Sequence, residues 1–184
     1  MDVYFVSGNE YKISEVKHIL DSRIITVISF KEKINEIQSE DMEVIVKDKA
    51  IKAFKIIGRP LLVEQTGLLL DKLGGLPGGL TQVFWDSLKE DSFCNIFSPT
   101  GTAALAARTV LAYCDGKTIK TFDGEVRGII VKEPRGCRDF QWDCIFQPNG
   151  FDKTFAEMGS QKNKISMRKI ALEKFRMHLE SIYD

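Results

Sequence analysis

Residues 103–132 read AALAARTVLAYCDGKTIKTFDGEVRGIIVK. The run from Ala103 to Tyr113 is apolar and rich in residues that suit a pleated surface, and Asp115-Gly116 follows as a tight-turn dipeptide. Residues 117–122 and 126–132 then return with strand composition, so the pattern predicts a hairpin and therefore antiparallel pairing. Upstream the order is different. Asp2 to Val6 reads as a buried first strand, Ser7-Gly8-Asn9 as a turn, and Ile13, Val16 and Leu20 as the apolar stripe of a following helix. Ile24 to Ile28 predicts a second strand, Met42, Ile45, Ala50, Ala53 and Ile57 a longer helix, and Leu61 to Val63 a third strand. LGGLPGG, residues 73–79, is a loop, and Leu80 to Leu88 reads as helical. Residues 93–102, FCNIFSPTGT, carry no pattern that assigns them. Ser166 to Tyr183 closes the chain as a helix, with Ala171, Phe175, Leu179 and Ile182 at near-helical spacing. Parallel-type opening and antiparallel middle together predict an α/β fold: a mixed β-sheet flanked by helices, with helical insertions able to build a second lobe, in one domain spanning residues 1–184.

The 184 residues carry 26 basic and 26 acidic side chains. A net charge of zero gives no footprint for a nucleic-acid polymer and turns attention to small ligands. No run of about eighteen apolar residues occurs, which argues against a membrane partner and makes a cytoplasmic location the expectation. The four cysteines, Cys94, Cys114, Cys137 and Cys144, show no CxxC spacing, and His18 and His178 lie near opposite ends. That is poor material for zinc, and a cysteine nucleophile requires one of these histidines to fold back onto it.

Three segments hold the chemistry. Pro134 to Arg168 reads PRGCRDFQWDCIFQPNGFDKTFAEMGSQKNKISMR and is too irregular in pattern for one helix or strand. Phe140 and Trp142 offer stacking faces, Asp143 a hydrogen-bond acceptor, and Arg135, Lys162 and Arg168 positive charge suited to phosphate. A nucleotide matches that inventory. Ser7 to Lys12, SGNEYK, lies between a strand and a helix, where backbone N–H groups, a glycine and Lys12 suit phosphate oxygens. Glu36 and Glu64 are carboxylates that suit a magnesium ion, Glu64 directly after a strand. Each segment also has a plainer reading: a turn capped by Asn9 with Lys12 in solvent, two solvated acids, and core aromatics under a wet charged rim.

In order along nearly the whole chain, SGNEYK, EIQSE, RPLLVEQTGL, LGGLPGG, FDGEVRGIIVKEPRG, DFQWD, FQPNGFDKTFAEM and QKNKISMR resemble the inosine triphosphate pyrophosphatases. That resemblance implies an elongated two-lobed mixed β-sheet flanked by helices, a cleft between the lobes, and a homodimer. It implies hydrolysis of a purine nucleoside triphosphate of the ITP or XTP type to the monophosphate and pyrophosphate with Mg2+. Ser7, Asn9 and Lys12 would hold the phosphate chain, with Lys49 and Lys162 adding charge, and Glu36 would be a metal ligand. Phe140 would stack on the purine, Trp142 and Asp143 would shape the base pocket, and Arg168 would meet the base carbonyl. Four positions depart from the pattern. Gln65 stands where the family has the aspartate of metal binding and water activation. An amide supplies an oxygen ligand but no base, which leaves Glu64 or Asp71 to activate water. Gln82 stands for a phosphate lysine, Gln141 for a glycine, and Met167 for a histidine. These departures set three alternatives side by side: an enzyme of this type with Gln65, Glu64 and Lys12 at its catalytic centre, the same enzyme with altered base preference, and a nucleotide-binding protein without turnover.

Overall fold

The computed structural model describes residues 1–20 and 25–183. Its first strand, β1 (Asp2–Val6), leads through a turn into α1 (Glu10–Leu20), and β2 (Thr26–Phe30) pairs with β1 in parallel. Ile24, expected to open β2, lies outside the described residues. Then come α2 (Met42–Ile57) and β3 (Leu61–Leu70), which is parallel to β1. The two-residue β4 (Pro77–Gly78), α3 (Thr81–Phe97), β5 (Ala103–Cys114), β6 (Ile119–Ile130), β7 (Phe146–Pro148), α4 (Phe155–Met158) and α5 (Met167–Tyr183) complete the chain. The sheet order is β2-β1-β3-β5-β6-β7, with β4 on the side of β3, and every pair from β3 onward is antiparallel. The expected mixed α/β sheet is therefore present.

Several stretches differ from their sequence reading, and within the loop expected over residues 73–79 Pro77–Gly78 pair with β3 as β4. The strand expected over Leu61–Val63 runs on to Leu70, through Glu64, Gln65 and Thr66. Those polar residues survive in a strand because each has a partner: Glu64 an arginine, Gln65 a backbone carbonyl, and Thr66 the hydroxyl of Thr109 directly opposite at 2.8 Å. The two strands expected after the hairpin are one unbroken β6. Gly124, between the two expected strands, sits where α5 crosses the sheet: a Cβ there would collide with the Met167 carbonyl and lie 2.8 Å from Ala171 N. The residue is a gap for a helix. The segment from 134 to 168 is only partly irregular, because it contains a 3-10 turn at Gln141–Cys144, β7, α4 and a second 3-10 turn at Gly159–Lys164. The hairpin turn itself is as expected. Asp115 Oδ1 accepts from Lys117 N and Thr118 N at 2.8 and 2.7 Å, and Gly116 adopts φ 90°.

The unassigned residues 93–102 split. Phe93 and Cys94 are buried in the second half of α3, beyond a break at Lys89 (φ 55°), and Ser98 Oγ accepts from Ala103 N and donates to Ile130 O.

The core comes in three clusters, and their positions give the molecule its two halves. At one end α2 covers one face through Met42, Val46, Ala50 and Ala53 against Leu61, Val63 and Val110. The alternate residues Leu62 and Leu111 point to the other face, where α1 and α5 supply Ile13, Val16, Leu20, Phe175 and Leu179. Leu68, Leu70, Leu105 and Ile130 lie further along the same strands and pack with Trp85, Phe93, Trp142, Phe146 and Phe155. Twelve residues of hairpin span about 40 Å, enough to carry both halves.

Candidate active site

The register of β1 against β3 pairs Phe5 with Leu62, so β1 ends while β3 runs on, and the Ser7 turn lies beside mid-strand Glu64; β1 and β2 end together, Val6 against Phe30. Loops at the carboxyl ends of adjacent parallel strands are where open α/β sheets bind ligands. The turn is capped, as the plainer reading has it: Ser7 Oγ accepts from Asn9 N and Asn9 Oδ1 from Lys12 N, each at 3.2 Å. Lys12, however, does not stand in solvent. Its ammonium lies 2.9 Å from the Glu64 carboxylate.

Glu64 is buried and anchors the site. Arg168 grips it with two parallel bonds, Nε to Oε2 at 2.8 Å and Nη2 to Oε1 at 3.0 Å, while Arg168 Nη1 pairs with Glu15. Glu15 also accepts from Ser166 Oγ at 3.1 Å. Burial alone would raise the Glu64 pKa, but Arg168 and Lys12 outweigh it and hold the carboxyl far below its ordinary range. The same balance raises Arg168, where burial is overcome by Glu64 and Glu15. Two cations and two carboxylates thus form one neutral, buried knot linking α1, β3 and α5. Glu64, as an acid held ionised by two cations, is a poor proton acceptor.

Around the same strand end, Lys49 from α2 pairs with Glu36 and reaches the Glu64 carbonyl oxygen at 3.4 Å. The structure therefore gathers Ser7, Asn9, Lys12, Lys49, Glu36 and Glu64. Gln65 follows, with its amide Nε2 donating to Gly79 O at 3.2 Å, which ties β3 to the glycine-rich loop. Asp71 is elsewhere. Five residues of strand lie between it and Gln65, a separation of about 20 Å, and it is engaged with Arg127 at 3.0 Å.

A cavity of about 560 Å3 opens beside this cluster, between α1 and residues 137–163, and Phe140, Asp143 and Lys162 line it. Lys162 donates to Asp143 Oδ2 at 2.6 Å and lies 4.4 Å from the centre of the Phe140 ring. Burial pushes Asp143 up and Lys162 down, each only partly offset by the other. Trp142 belongs to the core instead: 3% exposed, its ring stands edge-on to Phe146 at 5.9 Å. Met167 is 1% exposed in the same cluster, which explains an apolar side chain at that position. Arg168, expected at a base carbonyl, is 1% exposed and spends its donors on Glu64 and Glu15. Arg135 is likewise engaged away from the cavity, on Gln147 Oε1 at 2.6 Å and Asp152 O at 3.2 Å.

His18 and Cys137 both line the cavity, yet the Cys137 thiol donates to Asp139 Oδ2 at 2.9 Å. Cys94 and Cys144 are buried, which pushes their thiols up to about 12 and about 11 and leaves them unreactive. Among the described residues no group of three or more His, Cys, Asp or Glu side chains converges as a metal cage.

Sequence reasoning missed Glu15 and Tyr11. A signal for Glu15 existed: Arg168 opens a helix, where the dipole disfavours a cation, so a buried carboxylate partner was required.

A Ham1 family profile matches residues 3–178. The chain is 39% identical over 182 residues to an inosine triphosphate pyrophosphatase of Yarrowia lipolytica, covering 97% of this chain and 96% of that protein. It is 37% identical over 177 residues to a dITP/XTP pyrophosphatase of Methanopyrus kandleri, covering 95% and 94%. Among solved structures, a HAM1 protein from Coxiella burnetii superposes with a TM-score of 0.84 at 25% identity, covering 98% of this chain and 99% of the other.

Proposed function

This chain belongs to the Ham1 family, and we propose that it is a nucleoside triphosphate pyrophosphatase acting on purine triphosphates of the ITP and XTP type. The observation that carries this reading is the first turn of α1. Lys12 reaches the strand-end cluster at Glu64, while its neighbour Tyr11 lines the cavity with Phe140, Asp143 and Lys162. A triphosphate lying over Ser7–Lys12 has its nucleoside directed along α1 into that cavity. The names of the relatives support the choice of substrate.

In this reading water attacks the α-phosphorus, the bond from that phosphorus to the α,β-bridging oxygen breaks, and pyrophosphate leaves. Lys12 and Lys49 neutralise charge on the triphosphate oxygens, and the Ser7–Asn9 turn orients them. Arg168 does not touch the base; it fixes Glu64, and through Glu64 the position of Lys12. Asp143 and Lys162 present an acceptor and a donor to the base edge beside Phe140.

The donor set at the strand end, the Glu36 carboxylate and the Gln65 amide oxygen, is hard and sparse. It fits a Mg2+ ion that completes its shell with substrate phosphates and water, and not a resident caged ion. Glu36 and Gln65 would hold it, and it would supply further neutralisation of the phosphate oxygens. The resemblance also supports a homodimer, which light scattering on the purified protein measures. Among the described residues no helix is long and apolar enough to cross a membrane.

The test is magnesium-dependent release of pyrophosphate from ITP, XTP, dITP, ATP, GTP and pyrimidine triphosphates. Turnover of ITP and XTP is expected, and none across the panel overturns the reading. One observation favours a second reading, a nucleotide-binding protein without hydrolysis: Gln65 spends its amide on Gly79 O, and Glu64 is locked by Arg168. Heat of ITP binding without pyrophosphate release would select it.

A further inference from the structure

Tyr11 is the most exposed large apolar side chain among the described residues, at 66%. Its neighbours on α1 explain why. Ile13, Val16 and Leu20 go into the core, whereas Tyr11, Ser14 and His18, spaced i, i+3 and i+7, line the cavity. The Tyr11 ring stands 5.5 Å from Phe140 with the planes inclined at 66°, an edge-type contact that sets the two rings side by side at the cavity. Phe140 carries the Lys162 ammonium against its π system at 4.4 Å. A base entering between α1 and residues 137–163 therefore meets two adjoining aromatic rings set at an angle. Of the aromatic surfaces the resemblance offers, Trp142 is withdrawn into the core, which leaves Phe140 without that partner at the site.

We propose that Tyr11 is a substrate-binding residue that gives the nucleobase a second aromatic surface beside Phe140 and thereby favours purines, with their larger stacking area, over pyrimidines. The proposal rests on the nucleotide reading above. It places base recognition partly on α1, one residue from the lysine that faces the phosphates, so base and phosphate chain are registered by the same helical turn.

The experiment measures binding of ITP and UTP by calorimetry, and KM and kcat for ITP, in the parent and in Tyr11→Ala, Tyr11→Leu and Tyr11→Phe. Stacking on one aromatic side chain corresponds to a loss of at least about fivefold on truncation. Tyr11→Ala and Tyr11→Leu should weaken ITP by that factor, weaken UTP by less, and raise KM with kcat nearly unchanged, because Lys12 and Glu64 are untouched. Tyr11→Phe should behave as the parent. An exposed position makes misfolding a minor concern, and an unchanged melting temperature checks it. If the parent binds ITP and Tyr11→Ala or Tyr11→Leu binds it equally well, the role of Tyr11 is overturned while the nucleotide reading stands. If the parent binds no triphosphate, the nucleotide reading falls and this proposal with it.

Discussion

Gln141 donates its side-chain amide to the amide oxygen of Gln82 at 2.7 Å, and Gln82 donates in turn to Asp86 Oδ1 at 2.9 Å. Gln141 holds φ at 42°, in the left-handed region that costs a residue with a Cβ about 1–2 kcal/mol. The bond across to α3 offsets part of that strain, so two departures from the family pattern form a single unit beside Phe140. Gln82→Ala is expected to cost about 1 kcal/mol in the parent and clearly less in Gln141→Gly, where neither strain nor bond remains. Urea denaturation of the four proteins gives the coupling, and additivity within about 0.3 kcal/mol contradicts the pairing.

Gln65→Asp exchanges a donor for a carboxylate. The bond to Gly79 O is lost and negative charge meets that carbonyl, so stability should fall by about 1–2 kcal/mol. Hydrolysis should rise, because the variant adds both a metal ligand and a proton acceptor. Pyrophosphate release no faster than in the parent shows that this carboxylate is not what limits turnover.

Glu64 makes stability depend on pH with a definite sign. Its folded pKa lies far below its unfolded value of about 4.3, so its contribution is fully present above that pH. It is lost as pH falls from there toward the folded pKa, because the unfolded chain takes up the proton first. Glu64→Gln should cost about 3–5 kcal/mol at pH 7, moderated by the remaining Arg168–Glu15 pair, and should flatten the acid limb. Urea midpoints measured from pH 7 down to about pH 3 test both; an acid limb as steep in the variant as in the parent would assign it to other groups.

Gly124 and Gly8 should respond oppositely to alanine. At Gly124 a methyl meets the backbone of α5, and a loss of about 1–3 kcal/mol or more is expected. At Gly8 it meets nothing within 4 Å, so stability should stay within about 0.5 kcal/mol. Thermal melts compare them.

Periodicity located α1, α2 and α5, and the Asp115-Gly116 turn fixed the hairpin, because burial of one face leaves a regular imprint. It failed where tertiary partners override the local pattern. Glu64, Gln65 and Thr66 interrupt an apolar run yet lie mid-strand, since each is bonded by another element. Gly124 lies between the two expected strands and is a clearance. Of the site, Phe140, Asp143, Lys162 and the Ser7–Lys12 turn converge as their types suggested. Trp142 and Arg168 have the chemistry of ligand contacts, and only the fold shows that one fills a core and the other neutralises two buried acids. Tyr11 was invisible because nothing in its neighbourhood tells an exposed helical tyrosine from an ordinary one.

The unbroken β5–β6 ladder has a mechanical consequence. Cys114 to Ala103 pairs with Ile119 to Ile130 residue for residue, and Leu61–Leu70 runs beside it for ten more pairings. This spar passes through both core regions, so any relative movement of the halves is carried by a twist or bend of all three strands together. The two halves therefore have no single hinge residue between them. Narrowing of the cleft that leaves the spar undeformed falls to the elements hung on it: the first turn of α1 and the short helices of residues 137–163.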